Sequence, residues 1–272
     1  MGLDLMPLDS IEAGANLVFR HLLSLALAIA RPSAFVMTFP VFVRLGLTGL
    51  IRGAFVVAIS LPVMTGLVEV LPPIGTQTLR LVAVGFKEAI IGGLLGLLLG
   101  IPFWAAEVAG DLLDYERQAP DAQLQDPNAM TESTASGTLF MLAAVVLFVA
   151  ADGFHSVVEA LYGSYRLWPV IELAPLLRAE SGPLALEMLV RVLQLALILA
   201  FPVLAAMFVA MFALMVIARF APQLNVFDLS MAARNLVYFL VLPLYAAFLL
   251  DHFGTQLGEL TGILDQLGQF LR

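Results

Sequence analysis

The sequence predicts an all-α integral membrane protein with about six hydrophobic helical segments. Hydrophobic residues make up 61% of the 272 positions. Only 12% carry charge, about half the charged content of an ordinary soluble domain. Helices are expected because backbone groups find no water partners in lipid, and the apolar runs lack the alternation of barrel strands. We expect residues 1–272 to form a single membrane domain.

Each segment is an apolar run near or at the length that crosses a bilayer. The first, residues 17–43, is interrupted by Arg20, His21 and Arg31. The others carry no charged residue and span residues 53–68, 89–106, 133–151, 192–218 and 235–250. The 13 basic residues are spread along the chain, so the positive-inside rule indicates no orientation.

Three of these runs contain a central proline: Pro62, Pro202 and Pro243. Proline removes a backbone hydrogen bond and clashes with the preceding turn, so we expect these helices to kink or break. Such segments would form bent hairpins that pack into a larger assembly. The alternative is that the prolines are simply tolerated, as they often are in membrane helices.

Composition argues against several function classes. The chain has no cysteine, which excludes disulfides, thiolate metal sites and cysteine nucleophiles. Its net charge of −8 argues against nucleic acid as a partner. The three histidines are far apart, and no hydrolase, metalloprotease or phosphate-binding motif is present. We therefore predict no enzymatic activity, no catalytic residues, no metal site and no cofactor.

Residues 107–136 form a polar island between two apolar runs, and it holds seven of the 21 acidic residues but only one basic residue, Arg117. Glu107, Asp111 and Asp114 would share a face if the preceding helix continued through them. This face could be a solvated or lumen-facing surface, an ion-coupling site or a partner-binding surface. On the last two readings it would bind a cation or another protein.

Two patterns precede the island. Gly92, Gly96 and Gly100 recur every four residues, which predicts a flat helix face that another helix approaches closely. Lys87 and Glu88 are adjacent, so they point to different helix faces. We expect each to find its own partner elsewhere, in an interhelix or intersubunit ion pair.

A helix end and a connection are predicted at residues 219–227. Pro222 pushes the residue before it out of the α region. Gln223 and Asn225 offer amides to backbone groups at this break, and Arg219 precedes it. From these residues alone, the segment is either an ordinary interhelical loop or a structural joint.

Several strings in order resemble the SctT/FliR family of type III secretion export-apparatus proteins. They are Arg31-Pro32, Phe39-Pro40, Lys87-Glu88 with Gly92, Phe103-Trp104, Ala109-Gly110, Asp114 with Arg117, Asp126-Pro127, Ser136-Gly137, LYGSYRLWP at 161–169 and RFAPQLNVF at 219–227. The string at 161–169 is similar to the virulence branch, of the YscT, SpaR and HrcT type. The resemblance covers roughly residues 15 to 250.

The resemblance implies a non-enzymatic subunit of the export gate in the bacterial inner membrane. Its expected partners are the SctR (FliP-like) and SctS (FliQ-like) subunits, with SctU (FlhB-like) and SctV (FlhA-like) adjoining. Unfolded protein substrates would pass through the pore, and membrane lipid would surround the assembly. The resemblance also favours a joint at a subunit interface for residues 219–227.

The resemblance further implies that a loop at residues 111–125 plugs the closed pore. The residues assigned to the plug are Asp111, Asp114, Tyr115, Glu116, Arg117, Gln118 and Gln125. Gln118 stands where the family has glycine, so we expect a different turn there. The alternative function is a small proton- or cation-coupled secondary transporter that uses Glu107, Asp111 and Asp114, although the two halves of the chain show no convincing repeat.

Overall fold

The computed structural model describes residues 8–71, 78–117, 123–124, 133–172, 184–221, 223 and 225–258. The described helices are α1 (Leu8–Thr38), α2 (Pro40–Arg44), α3 (Gly49–Val70), α4 (Thr78–Glu116), α5 (Ala135–Ala150), α6 (Gly153–Leu167), α7 (Leu184–Phe220) and α8 (Val226–Gly258). Two short strands, β1 (Gln123–Leu124) and β2 (Ser133–Thr134), pair antiparallel between α4 and α5. The all-α prediction is confirmed.

Five of the described helices, namely α1, α3, α4, α7 and α8, are long and apolar enough to cross a membrane. α5 and α6 together form a sixth candidate span, which is bent by 78°. The bend lies where Asp152 adopts left-handed backbone angles, with φ of 57°. Aspartate enters this region more readily than most residues do. The prediction of about six hydrophobic segments is therefore confirmed.

Of the kinks or breaks that the sequence predicts at the prolines, the breaks do not occur. Pro62, Pro202 and Pro243 lie inside α3, α7 and α8, and each helix continues past its proline. Pro32 in α1 and Pro102 in α4 are accommodated in the same way. The sharp bend instead occurs at the short break between α5 and α6, where no proline is present.

α4 is the central helix of the fold, in contact with α1, α5 and α7. In its most apolar 18-residue stretch 61% of residues are buried, against 17–28% for the corresponding stretches of the other four long spans. α1 runs in the same direction as α4, since Arg31 lies against Gly92 and Pro40 lies against Gly100. The rest of the chain therefore encloses much of α4, including the charged side chains of Lys87, Glu88 and Asp114.

An aromatic core joins α1, α2, α4 and α5. Phe39 lies between α1 and α2 with its side chain fully buried, and its ring is 5.4 Å from that of Phe103 and 5.8 Å from that of Phe148. Phe35 and Phe42 extend the cluster. Most pairs are edge-to-face, which is the arrangement that aromatic quadrupoles favour.

The outer faces of the long helices are strongly apolar. Large side chains with more than three quarters of their area exposed include Leu50, Leu79, Phe220 and Leu244. Contiguous apolar surface of this kind faces lipid or another protein. The chain therefore covers α4 well but leaves much of α3, α7 and α8 available for contact.

Candidate functional site

The glycine stripe lies where α1 approaches α4. A Cβ atom on Gly92 would overlap the backbone carbonyl of Arg31, and one on Gly96 would overlap the Thr38 side chain. At Gly100 an added Cβ would come within 3.0 Å of Pro40 Cδ and within 2.9 Å of the Trp104 ring. The close approach allows polar groups on the two helices to meet without intervening solvent.

A buried group of charges lies beside this contact, and we refer to Arg31, Lys87, Glu88 and Ser164 as the Arg31 cluster. Arg31 donates to Glu88 through Nε at 2.7 Å and through Nη2 at 3.0 Å, which makes a bidentate pair between α1 and α4. Lys87 Nζ also contacts Glu88 Oε1 at 2.8 Å. The three charged side chains are at most 2% exposed.

The adjacent pair has the separate partners that its sequence predicts, and it also has a contact that its sequence does not predict. Glu88 does have an interhelix partner, Arg31, and Lys87 has partners on another segment, but the two also contact each other. Helix geometry separates the Cα–Cβ directions of neighbouring residues. The flexible lysine stem nevertheless brings Nζ back to the glutamate, because in the dry interior the opposite charges attract strongly.

The positive charges of the Arg31 cluster bind the carboxyl end of α6. Arg31 donates to Ser164 Oγ at 2.7 Å and to the Trp168 carbonyl at 2.8 Å. Lys87 Nζ donates to the carbonyls of Pro169, Val170 and Glu172 at 2.8, 2.9 and 3.0 Å. A helix carboxyl end carries unpaired carbonyls and partial negative charge, so it stabilises buried cations. The cluster ties α1, α4 and residues 164–172 together.

The polar island is organised around a second buried group, which we call the island base: Asp111, Asp114, Arg117, Thr134 and Ser136. α4 continues to Glu116, so the acidic residues do lie on one helix. Asp111 Oδ1 accepts from Thr134 N at 3.1 Å and from its Oγ1 at 2.8 Å. Asp114 accepts from Ser136 N at 2.7 Å and Oγ at 2.5 Å, and from Arg117 Nε at 2.6 Å.

The interpretation of the acidic face as a solvated or lumen-facing surface is wrong for Asp114. Its side chain is 1% exposed, and its partner Arg117 is 8% exposed as a residue. The reason is that α5 begins here, and its free backbone N–H groups attract carboxylates. Thr134 caps α5 by accepting from Gly137 N at 3.1 Å.

α8 closes the island base from the other side. Tyr238 shares a 2.6 Å hydrogen bond with Ser136 Oγ, and the Arg117 guanidinium lies 4.5 Å from the centre of the Tyr238 ring. Arg117 also donates to Asn235 Oδ1 at 3.3 Å. Nearby, Arg234 donates to the Glu116 carbonyl at 2.7 Å. The end of α4, the start of α5 and part of α8 are thus held as one unit.

The three carboxylates of the transporter hypothesis do not converge on a shared site. Glu107 pairs with Arg44 of α2, Asp111 accepts from Thr134, and Asp114 accepts from Ser136 and Arg117. Within the described residues, no group of three or more His, Asp or Glu side chains is placed to hold a metal ion. Each carboxylate is instead used in packing one helix against another segment.

The remaining plug residues are placed in different surroundings. Tyr115 is 63% exposed, whereas the Glu116 side chain is 26% exposed and lies 3.6 Å from Arg234. Gln118 and Gln125 lie outside the described residues. The plug assignment therefore includes three residues of the island base, Asp111, Asp114 and Arg117. It also includes Tyr115 and Glu116, which do not belong to the island base.

The connection at residues 219–227 begins after α7 ends at Phe220, with Arg219 exposed in the last turn. Gln223 is exposed, and Pro222 lies outside the described residues. Asn225 donates its side-chain amide to Asp228 Oδ2 at 2.6 Å, so it interacts with a carboxylate in the first turn of α8.

Sequence reasoning missed the partners that complete both groups. Arg31 was found as an interruption of the first apolar run and Ser136 within a string of resemblance, but neither was given a partner. The contacts of Ser164 and Tyr238 were not anticipated. Arg31 carried the clearest signal, because an arginine inside an apolar run must find a buried partner or a wet surface. The serine and tyrosine carry no such signal.

Comparison with known proteins identifies the family. A model of the family described as "Bacterial export proteins, family 1" matches residues 22–260. The chain belongs to this family. It is 34% identical over 239 residues to the Yop proteins translocation protein T of Yersinia pestis, covering 88% of this chain and 91% of that protein. It is 32% identical to the surface presentation of antigens protein SpaR of Salmonella typhimurium, covering 82% of each.

A flagellar relative is also similar. The flagellar biosynthetic protein FliR of Bacillus subtilis is 26% identical over 220 residues, covering 79% of this chain and 83% of that protein. The resemblance to the SctT/FliR family is therefore confirmed. The chain is a bacterial export protein with the helices of a multi-pass membrane protein.

Proposed function

We propose that this protein is a core subunit of the type III secretion export gate in the bacterial inner membrane, where it helps form the pore through which unfolded protein substrates pass. The observation that carries the proposal is the family match across residues 22–260. The higher identity to the translocation and SpaR relatives than to the flagellar one favours a virulence-type system.

The exposed apolar helices support membership of an assembly. α1, α3, α7 and α8 have less than a third of the residues in their most apolar 18-residue stretches buried within this chain. In a gate, SctR-like and SctS-like subunits would cover part of this surface, and lipid would cover the rest. SctU-like and SctV-like proteins would adjoin the complex. The connection at residues 219–227 would then be a joint at a subunit interface.

We infer further that the plug comprises residues 118–132 and that the island base anchors it. Gln118 and Gln125 belong to the proposed plug, with Tyr115 at its edge. Asp114 and Arg117 would remain in place when the pore opens, because moving them would separate charges that are buried and paired. Asp111 would remain because it accepts two hydrogen bonds from Thr134. Asp111 and Asp114 also bond directly to residues 134 and 136, just after the plug. This supports a loop whose two ends are held together.

The experiment separates the plug from its anchor. Residues 119–131 are replaced by a short Gly-Ser linker in the assembled complex, and the leak of small solutes across the inner membrane is measured. We expect the complex to assemble and the membrane to leak. Deletion of residues 111–125, which also removes Asp111, Asp114 and Arg117 of the island base, should instead reduce assembly. Unchanged permeability in an assembled complex carrying the linker would contradict the plug proposal.

A further inference from the structure

The outer side of α6 differs from the apolar outer faces of the long helices. Every exposed residue of α6 is ionisable: His155, Glu159 and Arg166, which we call the α6 face. Their spacing of four and then seven residues places them along one side of the helix. The opposite side packs into the hydrophobic core through Val157 and Leu161. α6 therefore has an apolar inner side and an ionisable outer side.

The bend at Asp152 separates the α6 face from an apolar surface on α5. Before the chain turns by 78°, α5 exposes large hydrophobic residues, whereas no large hydrophobic residue of α6 is exposed. The exposed residues of α5 are Leu139, Leu142, Val146 and Val149. A span surrounded by lipid is apolar along its whole length. The two halves of this bent pair therefore have different surroundings.

α6 lies beside the middle of two candidate membrane spans and not beyond their ends. Tyr162 donates to the carbonyl of Ile59, which is halfway along α3, at 2.9 Å. Arg31, which is in the interior of the α1 span, donates to Ser164 at 2.7 Å. The α6 face extends at least one turn to either side of Tyr162. Its charges are therefore at the depth of the bilayer interior if α1 and α3 cross the membrane.

The charges of the α6 face are not neutralised by this chain. None of its three side chains has an ion pair or a side-chain hydrogen bond within the described residues. Charges inside the spans of α1 and α4 are instead paired, as Arg31 is with Glu88 and Glu107 is with Arg44. Ionisable residues at membrane depth that lack such a partner face a water-filled space, because lipid does not solvate them.

We propose that the α6 face lines the aqueous passage of the gate, where water and the unfolded substrate contact it. This inference rests on the proposed function, which supplies the passage. Water solvates the three side chains without requiring a protein partner. The absence of exposed large hydrophobic residues gives the apolar segments of an unfolded chain little surface to bind. Contacts between the α6 face and the substrate are therefore polar and short-lived.

The first test measures access of water to the α6 face. The chain has no cysteine, so His155→Cys, Glu159→Cys and Arg166→Cys each supply one thiol. Assembled complexes in inner-membrane vesicles receive a positively charged, membrane-impermeant thiol reagent on both sides, and labelling of this protein is followed by mass spectrometry. We expect labelling at least tenfold faster than that of Leu61→Cys.

Leu61 is the matched control because it is 50% exposed and lies on α3 two residues after Ile59, at the depth of Tyr162. Labelling of the α6 variants no faster than that of Leu61→Cys would overturn the proposal.

The second test distinguishes the passage from any other wet surface. An export substrate fused to a stably folded domain is stalled in the complex, and a photo-reactive residue is placed at position 159 or, as the control, at position 61. We expect position 159 to crosslink the stalled substrate and position 61 not to do so. A crosslink from position 159 to lipid or to another subunit, without substrate, would overturn the proposal.

The two proposals fail in different ways. If the substrate stalls in a complex that contains this protein but position 159 does not crosslink it, the assignment of the α6 face is wrong and the gate function stands. If the protein is absent from the complex that holds the stalled substrate, the proposed function is wrong, and the assignment of the α6 face is wrong with it.

Discussion

Substituting Glu88 by glutamine tests the energetic role of the Arg31 cluster. The carboxylate receives two bonds from Arg31, at 2.7 and 3.0 Å, and contacts Lys87 at 2.8 Å. Glutamine keeps the shape and one acceptor oxygen but leaves two buried cations without their anion. Removal of one partner of a buried pair costs about 3–5 kcal/mol. We expect a loss near the lower end, about 3 kcal/mol, because the α6 carbonyls still bind Lys87.

The free energy of unfolding is measured in mixed micelles by titration with denaturing detergent, followed by far-ultraviolet circular dichroism. Glu159→Gln is the matched control, since Glu159 is exposed on α6 and should change stability by no more than about 0.5 kcal/mol. The double variant Arg31→Met with Glu88→Leu should be more stable than Arg31→Met alone or Glu88→Leu alone. In the double variant, neither charge of this pair remains buried without the other. A Glu88→Gln loss below about 1 kcal/mol, or strictly additive effects in the double variant, would refute the reasoning.

Two further predictions concern the glycine stripe and the island base. Gly92→Ala should destabilise the protein by about 1–3 kcal/mol, because the added methyl group overlaps the Arg31 carbonyl; Gly53→Ala, which meets nothing within 4 Å, should be neutral or stabilising in the same unfolding assay. Asp114→Asn should cost about 3 kcal/mol, because it breaks the buried pair with Arg117. The backbone amides of the turn around Arg117 should then exchange faster with deuterium. Asp251→Asn, at an exposed position, is its control, and equal stability of the two variants would contradict the assignment.

The helices could be predicted from the sequence because the bilayer imposes a length on each apolar run. The runs at residues 53–68, 192–218 and 235–250 lie within α3, α7 and α8, respectively. The glycine stripe could also be found, since a four-residue repeat is a local property of one helix. The proline breaks could not be excluded, because whether a helix continues past a proline depends on its surroundings.

The two buried polar groups depend on contacts that are distant in sequence. Arg31 lies 57 residues from Glu88 and 133 residues from Ser164, and no local pattern connects them. At the island, the sequence left open whether the preceding helix continues through Asp114. It continues to Glu116, where Ser136 and Arg117 satisfy Asp114. Composition located the island, whereas only the fold separates its buried base from the rest.

The most direct test of the central claim is co-purification of the affinity-tagged full-length protein from bacterial membranes in mild detergent. As a gate subunit, it should elute in one complex with the SctR-like and SctS-like proteins, identified by mass spectrometry. The Glu159→Gln control should elute in the same complex. A lone monomer that transports a small solute when reconstituted into vesicles would contradict the account.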